Sequence, residues 1–381
     1  MTDTPKLRRT HELTPAAHPT WLGVGWIPRS EITVLVGDEG IGKSLLWVQI
    51  AAAVTTGQPF TPFRIPRREP ADVLVIVTED AAAEVQERLR LAGADLDRIV
   101  WFSMDADGTG APSFSKGGGS SMGALVESIR ALDAPPALVV LDAWLDTVDS
   151  GLQVKDGQQA RIALNPWKRF ADTFNTSVML LTHTNRLPTA NTRDLMGSSA
   201  VLRQKARMVL FAARPNDDQD HLYVGPDKAN TTGLRDAVRF TVQPVQVRPA
   251  TDDDPGTTAR ITDATDTGQT IRELVGEWRN EAQEASRKPT KAEDAAAAIV
   301  ELFQSKGAAS MAVSDVNAYL KSLGYGEKAI AEAKRTVGES NSTGLRGAWV
   351  LTLKSQTWQS PSTSLPSAEV ANIADFQGVN R

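Results

Sequence analysis

The sequence predicts an α/β fold with a mostly parallel sheet and helices on both faces, followed by a small C-terminal α+β unit. Residues 73–78 and 137–141 are continuous apolar runs, which are typical of strands buried on both faces of a parallel sheet. Segments with helical spacing, such as residues 81–92, alternate with these runs. This alternation favours crossover helices that connect parallel strands. A glycine-rich turn at residues 37–44 also joins an apolar run to a segment with helical spacing.

The predicted elements follow one another regularly along the first two thirds of the chain. The strands are residues 32–36, 73–78, 99–103, 137–141 and 177–182, with antiparallel additions at 222–225 and 237–242. The helices are residues 45–54, 81–92, 124–132 and 158–173, and the last contains Pro166, a residue that can interrupt a helix. Residues 20–28 lead into the first strand, residues 105–119 form a loop rich in Gly and Ser, and residues 201–210 run into Phe211.

The composition changes after residue 246. Residues 249–269 are predicted as a loop and 270–286 as a helix. Three further helices are predicted at 292–305, 314–323 and 327–337, followed by a hairpin around residues 347–350. We therefore expect a flexible arm at 1–19, a first domain at 20–246, a linker with a helix at 247–290, a second domain at 291–354 and a disordered tail at 355–381.

The composition of the 381 residues excludes several classes of protein. Hydrophobic residues make up 41% of the chain, so it can bury a core, and the absence of cysteine excludes disulfides and thiolate metal sites. Residues 1–19 lack the apolar centre of a signal peptide, and no apolar run has the length of a membrane span. We therefore expect a cytoplasmic protein. A net charge of −5 argues against a generally basic nucleic-acid coat, although a local basic channel remains compatible with it.

The motif Gly-x-x-x-x-Gly-Lys-Ser occupies residues 37–44, directly after the apolar run 32–36. Glycines allow tight turns and close backbone approach, and successive N–H groups at a helix N-terminus can face phosphate oxygens. In such a loop Lys43 reaches the β- and γ-phosphates of ATP, and the Ser44 hydroxyl binds Mg²⁺. The predicted nucleotide-binding residues are Gly37, Asp38, Glu39, Gly40, Ile41, Gly42, Lys43, Ser44 and Leu45. The alternative is a glycine-rich turn in an ordinary α/β domain.

Polar side chains close three of the predicted strands: Glu79, Asp142 and His183. Binding groups belong at the carboxyl ends of parallel strands. Asp142 is the candidate ligand of Mg²⁺, usually through water, and Glu79 the candidate general base for the attacking water, with Asp80 as a nearby competitor. His183 can hydrogen-bond the γ-phosphate and report its loss. The alternatives are a turn-capping aspartate, a glutamate favoured by a helix N-terminus and a structural histidine.

Four cations follow the last of these strands: Arg203, Arg207, Arg214 and Lys228. Phosphoryl transfer benefits from a cation against the γ-phosphate, often supplied by a neighbouring subunit. Each of these side chains is individually more often a solvated surface charge. As a set they predict that at least one acts in trans.

Together these motifs resemble those of the RecA-type ATPases, and most closely of the RepA/DnaB-like hexameric helicases, which are AAA_25-like. The matching segments lie within residues 15–245 and are residues 21–28, 37–44, 78–89, 138–142, 181–186, 196–207 and 227–230. The specific part is the order of Thr-Glu-Asp at 78–80, His-Thr-Asn-Arg at 183–186 and Gly-Ser-Ser-Ala at 197–200. The resemblance implies a RecA-like ATPase domain that uses ATP and Mg²⁺.

The resemblance also implies a ring, expected to be a hexamer, with ATP bound between subunits. Glu79 would be the catalytic carboxylate and Arg207 the arginine finger that acts in trans, with Lys228 as its companion. DnaB-like rings usually carry a Lys-x-Arg pair near the latter position, and here Asn230 replaces that arginine, which favours Arg207. Loops at 147–158, with Lys155, and 187–197, with Arg193 and Arg186 beside it, would grip single-stranded DNA in the channel. A replication initiator or loader would be a partner.

Residues 291–354 resemble a winged helix, with three helices and a small hairpin closing on Trp349. Winged helices often bind DNA, and Lys328, Lys334 and Arg335 lie in the third helix. Eight basic against seven acidic residues in this unit leave a protein-docking or ring-stabilising role equally open.

We therefore expect an ATP-dependent, RepA-like ring helicase of plasmid, phage or mobile-element replication. Two alternatives remain. A recombination or repair ATPase would form a filament on DNA, and an ATP-gated regulator would bind DNA or a protein through its winged helix.

Overall fold

The computed structural model describes residues 9, 11, 18–105, 108, 110–114, 120–154, 156–184, 200–215, 217–230, 232–342 and 348–354. The predicted arm at 1–19 lies mostly outside these residues, and so do Lys155, the predicted channel loop 187–197 with Arg193, Asn185 and Arg186, and the tail 355–381. The chain divides into two compact units, Met1–Gln283 and Glu284–Arg381. None of the helices in the described ranges is long and apolar enough to cross a membrane.

A large mixed sheet organises the first unit. Its strands are β3 Ile32–Gly37, β4 Val73–Val77, β5 Ile99–Trp101, β6 Leu138–Asp142, β7 Ser177–His183, β8 Met208–Ala213, β9 His221–Ala229, β10 Val238–Gln246 and β11 Thr257–Asp266, after a small hairpin of β1 Trp21–Gly23 and β2 Ile27–Pro28. The spatial order is β11-β10-β9-β8-β3-β7-β6-β4-β5. The six strands from β8 to β5 are parallel, and β9, β10 and β11 extend the sheet antiparallel. The predicted mostly parallel α/β fold is confirmed.

Helices cover both faces of this sheet. They are α1 Lys43–Thr56, α2 Ala82–Leu91, α3 Ser120–Arg130, α4 Gly157–Phe174, α5 Ala200–Lys205 and α6 Ile271–Ser286. Successive residues of β3 alternate between two buried clusters, because side chains of a strand point to opposite faces. Leu35 packs with residues of α1 and α2, whereas Val34 and Val36 pack with residues of α3, α4 and α6. Helix α4 continues through Pro166 without interruption.

One prediction for this unit is wrong. Residues 249–269 are predicted as a loop, but the structure places β11 there, paired antiparallel with β10. β11 is an edge strand whose one buried side chain within the described residues is Ile261, so its sequence lacks the apolar alternation of a half-buried strand. Helix α6 then buries Ile271, Leu274 and Val275 against the first unit's core. Residues up to Gln283 therefore belong to the first unit rather than to a linker that starts at 247.

The second unit contains the predicted helices as α7 Lys291–Lys306, α8 Val313–Ser322 and α9 Glu327–Val337. The strands β12 Ser310–Ala312, β13 Gly338–Ser342 and β14 Trp349–Leu353 form an antiparallel sheet in the order β12-β14-β13. Thr290 and Glu293 start α7 with a reciprocal capping box, and Ile299, Phe303 and Leu320 form part of the core. The first strand, β12, was not predicted, and the winged-helix-like assignment stays a prediction.

Candidate nucleotide-binding site

The phosphate-binding loop lies between the carboxyl end of β3 and the start of α1. Gly40 and Gly42 have φ angles of +70° and +104°, a conformation that glycine adopts without steric cost. Ile41 is 7% exposed and packs in the core, which anchors the tip of the loop. Asp38, Glu39 and Gly40 are exposed, and Leu45 packs partly against the same core. Residues 38–40 of the loop are therefore accessible, whereas Ile41 is held in the core.

Lys43 points back across this loop. Its Nζ donates hydrogen bonds to the carbonyl oxygens of Gly37 at 3.0 Å and Asp38 at 2.7 Å. Burial lowers the pKa of Lys43, and the carboxylates of Asp142, Glu79, Asp38 and Glu39 oppose that shift. A buried ammonium surrounded by acidic groups is ready to interact with phosphate oxygens, which would replace the carbonyl partners.

Asp142 ends β6 and lies beneath the start of α1. Its Oδ2 accepts hydrogen bonds from Ser44 Oγ at 2.6 Å and from Trp47 Nε1 at 2.8 Å. The side chain is 3% exposed. Burial raises the pKa of Asp142, the donors Ser44 and Trp47 oppose the shift, and the carboxylates of Glu79 and Asp80 add to it.

The pair of Ser44 and Asp142 fits Mg²⁺. A buried carboxylate whose charge is destabilised gains from a nearby cation, and carboxylate and hydroxyl oxygens are ligands that Mg²⁺ accepts. Within the described ranges no group of three or more His, Asp or Glu side chains is placed to hold a metal ion. Mg²⁺ in such sites is usually held by one or two protein oxygens together with substrate phosphates and water.

His183, the last residue of β7, connects Lys43 with Glu79. His183 Nδ1 lies 3.3 Å from Lys43 Nζ, and His183 Nε2 lies 2.8 Å from Glu79 Oε1. Glu79 follows β4 by two positions, so the three side chains come from the ends of β4 and β7 and the start of α1. The predicted meeting of Glu79, Asp142 and His183 around the loop is thus observed.

The corner at Thr78, Glu79 and Asp80 is held by its neighbours. Thr78 Oγ1 accepts a hydrogen bond from Ala143 N at 2.9 Å and donates one to Asp146 at 2.8 Å. Asp80 forms an ion pair with Arg88 at 2.6 Å. The two neighbouring carboxylates therefore have different partners, Arg88 for Asp80 and His183 for Glu79. Thr184 donates a hydrogen bond to Asp38, which ties the end of β7 to the loop.

The four cationic residues predicted to include one that acts in trans have different surroundings in the structure. Arg203 pairs with the buried Asp227, and Lys228 Nζ donates to the carbonyls of Arg203, Gln204 and Ala206 at the end of α5. Burial lowers the pKa of Lys228, and Arg203 and Arg207 lower it further. Both side chains thus stabilise the junction of α5 with β9.

Arg214 and Arg207 lie at opposite ends of β8. Arg214 is beside its own phosphate loop, with one guanidinium nitrogen 3.5 Å from where a Cβ on Gly42 would lie. The N–H of Arg207 instead donates to Ile32 O at the start of β3. Five residue steps of strand separate Ile32 from Gly37, roughly 17 Å at about 3.3 Å per residue. The side chain of Arg207 is half exposed and lies 3.1 Å from Glu31.

A cavity of about 570 Å³ opens over the loop. Besides the predicted residues, it is lined by Asp80, Arg88, Thr258 and Ala259. Sequence reasoning missed the last two because residues 249–269 carried no strand signal. It also missed Trp47, whose contact with Asp142 spans 95 positions of the chain and leaves no local pattern.

Known proteins are similar to this chain over part of its length. No curated protein matches the chain. Two solved structures are similar to parts of it, both at 13% identity. The ATPase domain of G40P has a TM-score of 0.41, and the similarity covers 56% of this chain and 82% of that chain. A DnaB-like replicative helicase, described with its interactions with primase, has a TM-score of 0.42, and the similarity covers 58% of this chain and 59% of that chain.

The family evidence comes from a sequence match over residues 3–188 to AAA_25, described as an AAA domain. This range contains the phosphate loop, Glu79, Asp142 and His183. The AAA_25-like domain predicted from the resemblance is confirmed by this match, which shows that the chain is similar to the AAA domain over residues 3–188.

Proposed function

We propose that this protein is an ATP-dependent, ring-shaped DNA helicase of the RepA type, which serves plasmid, phage or mobile-element replication. It hydrolyses ATP and uses the free energy to move along single-stranded DNA. The observation that carries the ATPase assignment is the row of Lys43, His183 and Glu79 beside the phosphate loop, with His183 bonded to Glu79 at 2.8 Å. The proposed movement along single-stranded DNA rests on the resemblance of the sequence motifs to those of RepA/DnaB-like helicases.

Each residue has a role in this proposal. The backbone N–H groups of residues 37–45 and the Lys43 ammonium bind the phosphates. Ser44 and Asp142 hold Mg²⁺, which supplies charge stabilisation on the phosphate oxygens. Glu79 accepts a proton from the attacking water, whose oxygen then bonds to the γ-phosphorus as the bond to the leaving ADP oxygen breaks.

His183 is the proposed sensor of the γ-phosphate. Its imidazole lies between the ammonium that contacts the phosphate and the carboxylate that activates water. Loss of the γ-phosphate changes the charge facing Lys43 and therefore the bond from His183 to Glu79. The predicted DNA-binding segment 187–197 begins four positions after the end of β7 at His183, which supports coupling between hydrolysis and DNA movement.

Arg207 is the proposed arginine finger. It lies at the end of the sheet opposite its own phosphate loop, so it serves the site of a neighbouring subunit in a ring, proposed to be a hexamer. The ammonium of Lys228 is engaged by carbonyls at the end of α5. We therefore assign Lys228 to support of the segment that carries Arg207 rather than to direct contact with ATP. Single-stranded DNA and a replication initiator or loader are the proposed partners.

ATP hydrolysis with and without single-stranded DNA tests the proposal. Lys43→Ala serves as the blank, and Lys306→Ala, at an exposed lysine of the second unit, serves as the matched control. We expect single-stranded DNA to stimulate ATP hydrolysis strongly in the unmodified protein and in Lys306→Ala, and not at all in Lys43→Ala. Unwinding of a forked duplex then separates a helicase from a filament-forming ATPase.

Hydrolysis that does not respond to DNA would overturn the helicase assignment and favour an ATP-gated regulator. Full hydrolysis by Lys43→Ala would overturn the assignment of the phosphate loop. Native mass spectrometry with ATP and Mg²⁺ measures the number of subunits, and a monomer under these conditions would contradict the ring.

A further inference from the structure

We propose that the open edge of β11 at Thr258 and Ala259 binds the nucleoside part of the nucleotide whose phosphates lie on the loop 37–44. This inference rests on the proposed nucleotide binding and adds a second binding element to it. The element comes from residues 257–261, about 215 positions beyond the loop in the chain.

The cavity over the phosphate loop provides the space. Its volume of about 570 Å³ is within the range of sites that enclose small organic ligands. Gly40, Gly42 and Lys43 form one part of its wall, and Thr258 and Ala259 form another. Leu45 also lines it and offers apolar surface one residue beyond Ser44. A triphosphate uses only the loop, so the wall formed by β11 remains for the base and ribose.

The register of β11 turns polar backbone groups of Ala259 away from β10. Val247 N donates to Gly256 O at 2.9 Å, which makes these two residues a hydrogen-bonded pair. Such pairs alternate with non-hydrogen-bonded pairs in an antiparallel ladder. Counting along the register, Ala259 lies opposite Pro244 in a non-hydrogen-bonded pair, where N–H and C=O point to the other side of the strand.

Two further observations agree with this register. Pro244 has no N–H to donate to β11. Val242 N donates to Asp220 O at 2.7 Å, away from β11, as the alternation requires. Since β11 is the last strand of the sheet in the described part of the chain, the N–H and C=O of Ala259 face the open edge.

An open strand edge suits a nucleobase. Donors and acceptors stand side by side on the edges of the bases, and the edge of a strand offers N–H and C=O groups in the same plane. The side chain of Ala259 is exposed and small, so a flat ring can approach the backbone. β10 holds β11 on one side, and Arg248 of the connecting turn pairs with Glu87 of α2 at 3.3 Å, so this wall is braced before ligand binds.

Calorimetric titration of the full chain with ATP and with tripolyphosphate, both with Mg²⁺, tests the proposal. Ala259→Pro removes the outward N–H but no ladder hydrogen bond. We expect the ratio of ATP affinity to tripolyphosphate affinity to fall by about tenfold, as lost contacts worth about 1.4 kcal/mol would produce, while tripolyphosphate binding is unchanged. An unchanged ratio would overturn the proposal.

Ala264→Pro is the matched control. Ala264 is also on β11, and it lies opposite Phe240. Phe240 is two residues from Val242 on β10, so the N–H and C=O of Phe240 also point toward β9 and not toward β11. The N–H of Ala264 therefore also points outward, but Ala264 does not line the cavity. We expect this variant to keep the affinity ratio of the unmodified protein, and an equal fall in both variants would count against a contact at Ala259.

Photolabelling of the unmodified protein does not depend on the folding of a variant. With 2-azido-ATP, whose azide is on the base, we expect label within residues 257–261 that excess ATP prevents. Label confined to other segments would overturn the assignment to β11. Failure of both ATP and tripolyphosphate to bind would overturn the proposed function itself, so the two failures are distinguishable.

Discussion

His183 Nε2 lies 2.8 Å from Glu79 Oε1, while the other nitrogen of the same imidazole lies 3.3 Å from Lys43 Nζ. An ammonium can only donate hydrogen bonds, so the nitrogen that faces Lys43 accepts and the nitrogen that faces Glu79 carries the proton. The imidazole therefore fixes the orientation of Glu79 relative to the phosphate loop. Lys43 is 140 positions and Glu79 is 104 positions from His183 in the chain, and the imidazole brings the three side chains into one hydrogen-bonded group.

Replacement of His183 by Ala should lower kcat on the order of 10²-fold, because Glu79 loses the group that orients it. ATP affinity should change little, since the loop and Lys43 remain. Steady-state hydrolysis and equilibrium ATP binding measure the two effects. The double variant with Glu79→Gln should be no slower than Glu79→Gln alone, as expected for residues that act together. The control is His221→Ala, at a histidine on β9 that pairs with Asp218, and this variant should hydrolyse ATP normally. Additive losses of kcat in the double variant of His183 and Glu79 would contradict the coupling.

Replacement of Trp47 by Phe should destabilise the fold through Asp142. The change removes the indole N–H that donates to Asp142 Oδ2 at 2.8 Å. Trp144 is the matched control, because it is equally buried and its Nε1 has no hydrogen-bond partner within the described residues. We expect Trp47→Phe to lower the free energy of unfolding by about 1–3 kcal/mol more than Trp144→Phe, measured by urea denaturation. Equal losses would show that the bond contributes nothing.

Replacement of Asp142 by Asn should stabilise the nucleotide-free protein at neutral pH. Burial raises the pKa of Asp142 above its ordinary value of 3.8, so the folded state binds this proton more tightly than the unfolded state. The resulting penalty is absent below that ordinary value, grows as pH rises through the folded-state pKa and is complete above it. Denaturation from pH 3 to 8 without Mg²⁺ should show a gain for Asp142→Asn that grows with pH. A gain independent of pH would refute this origin.

Mixed subunits test whether Arg207 acts in trans. Arg207→Ala and Glu79→Gln should each be nearly inactive, and mixing them should restore part of the hydrolysis. The reason is that some interfaces then combine an intact Glu79 with an intact Arg207 from the neighbour. Arg214 lies beside its own loop, so Arg214→Ala mixed with Glu79→Gln should restore none. Equal results for both mixtures would remove the distinction between the two arginines.

The parallel sheet and the core of the site were predictable because their signals are local. Asp142 and His183 each end a continuous apolar strand, Glu79 follows one closely, and the loop 37–44 stands between a strand and a helix. In a parallel sheet the carboxyl ends of neighbouring strands meet at one edge. Sequence periodicity therefore implied that these side chains meet, before any contact was known.

Other features depend on contacts that no local pattern encodes. β11 has its strand conformation because β10 pairs with it, although its own residues are mostly polar and exposed. The sequence alone does not distinguish the four candidate cations Arg203, Arg207, Arg214 and Lys228. Their positions in the fold do, because two lie at opposite ends of β8 and two lie at the end of α5. The bond from Trp47 to Asp142 joins residues 95 positions apart. The sequence by itself determined which chemical groups gather at the phosphate loop, and the tertiary structure decided which side chains hold them and which strand closes the cavity, because those partners are brought together only by long-range packing.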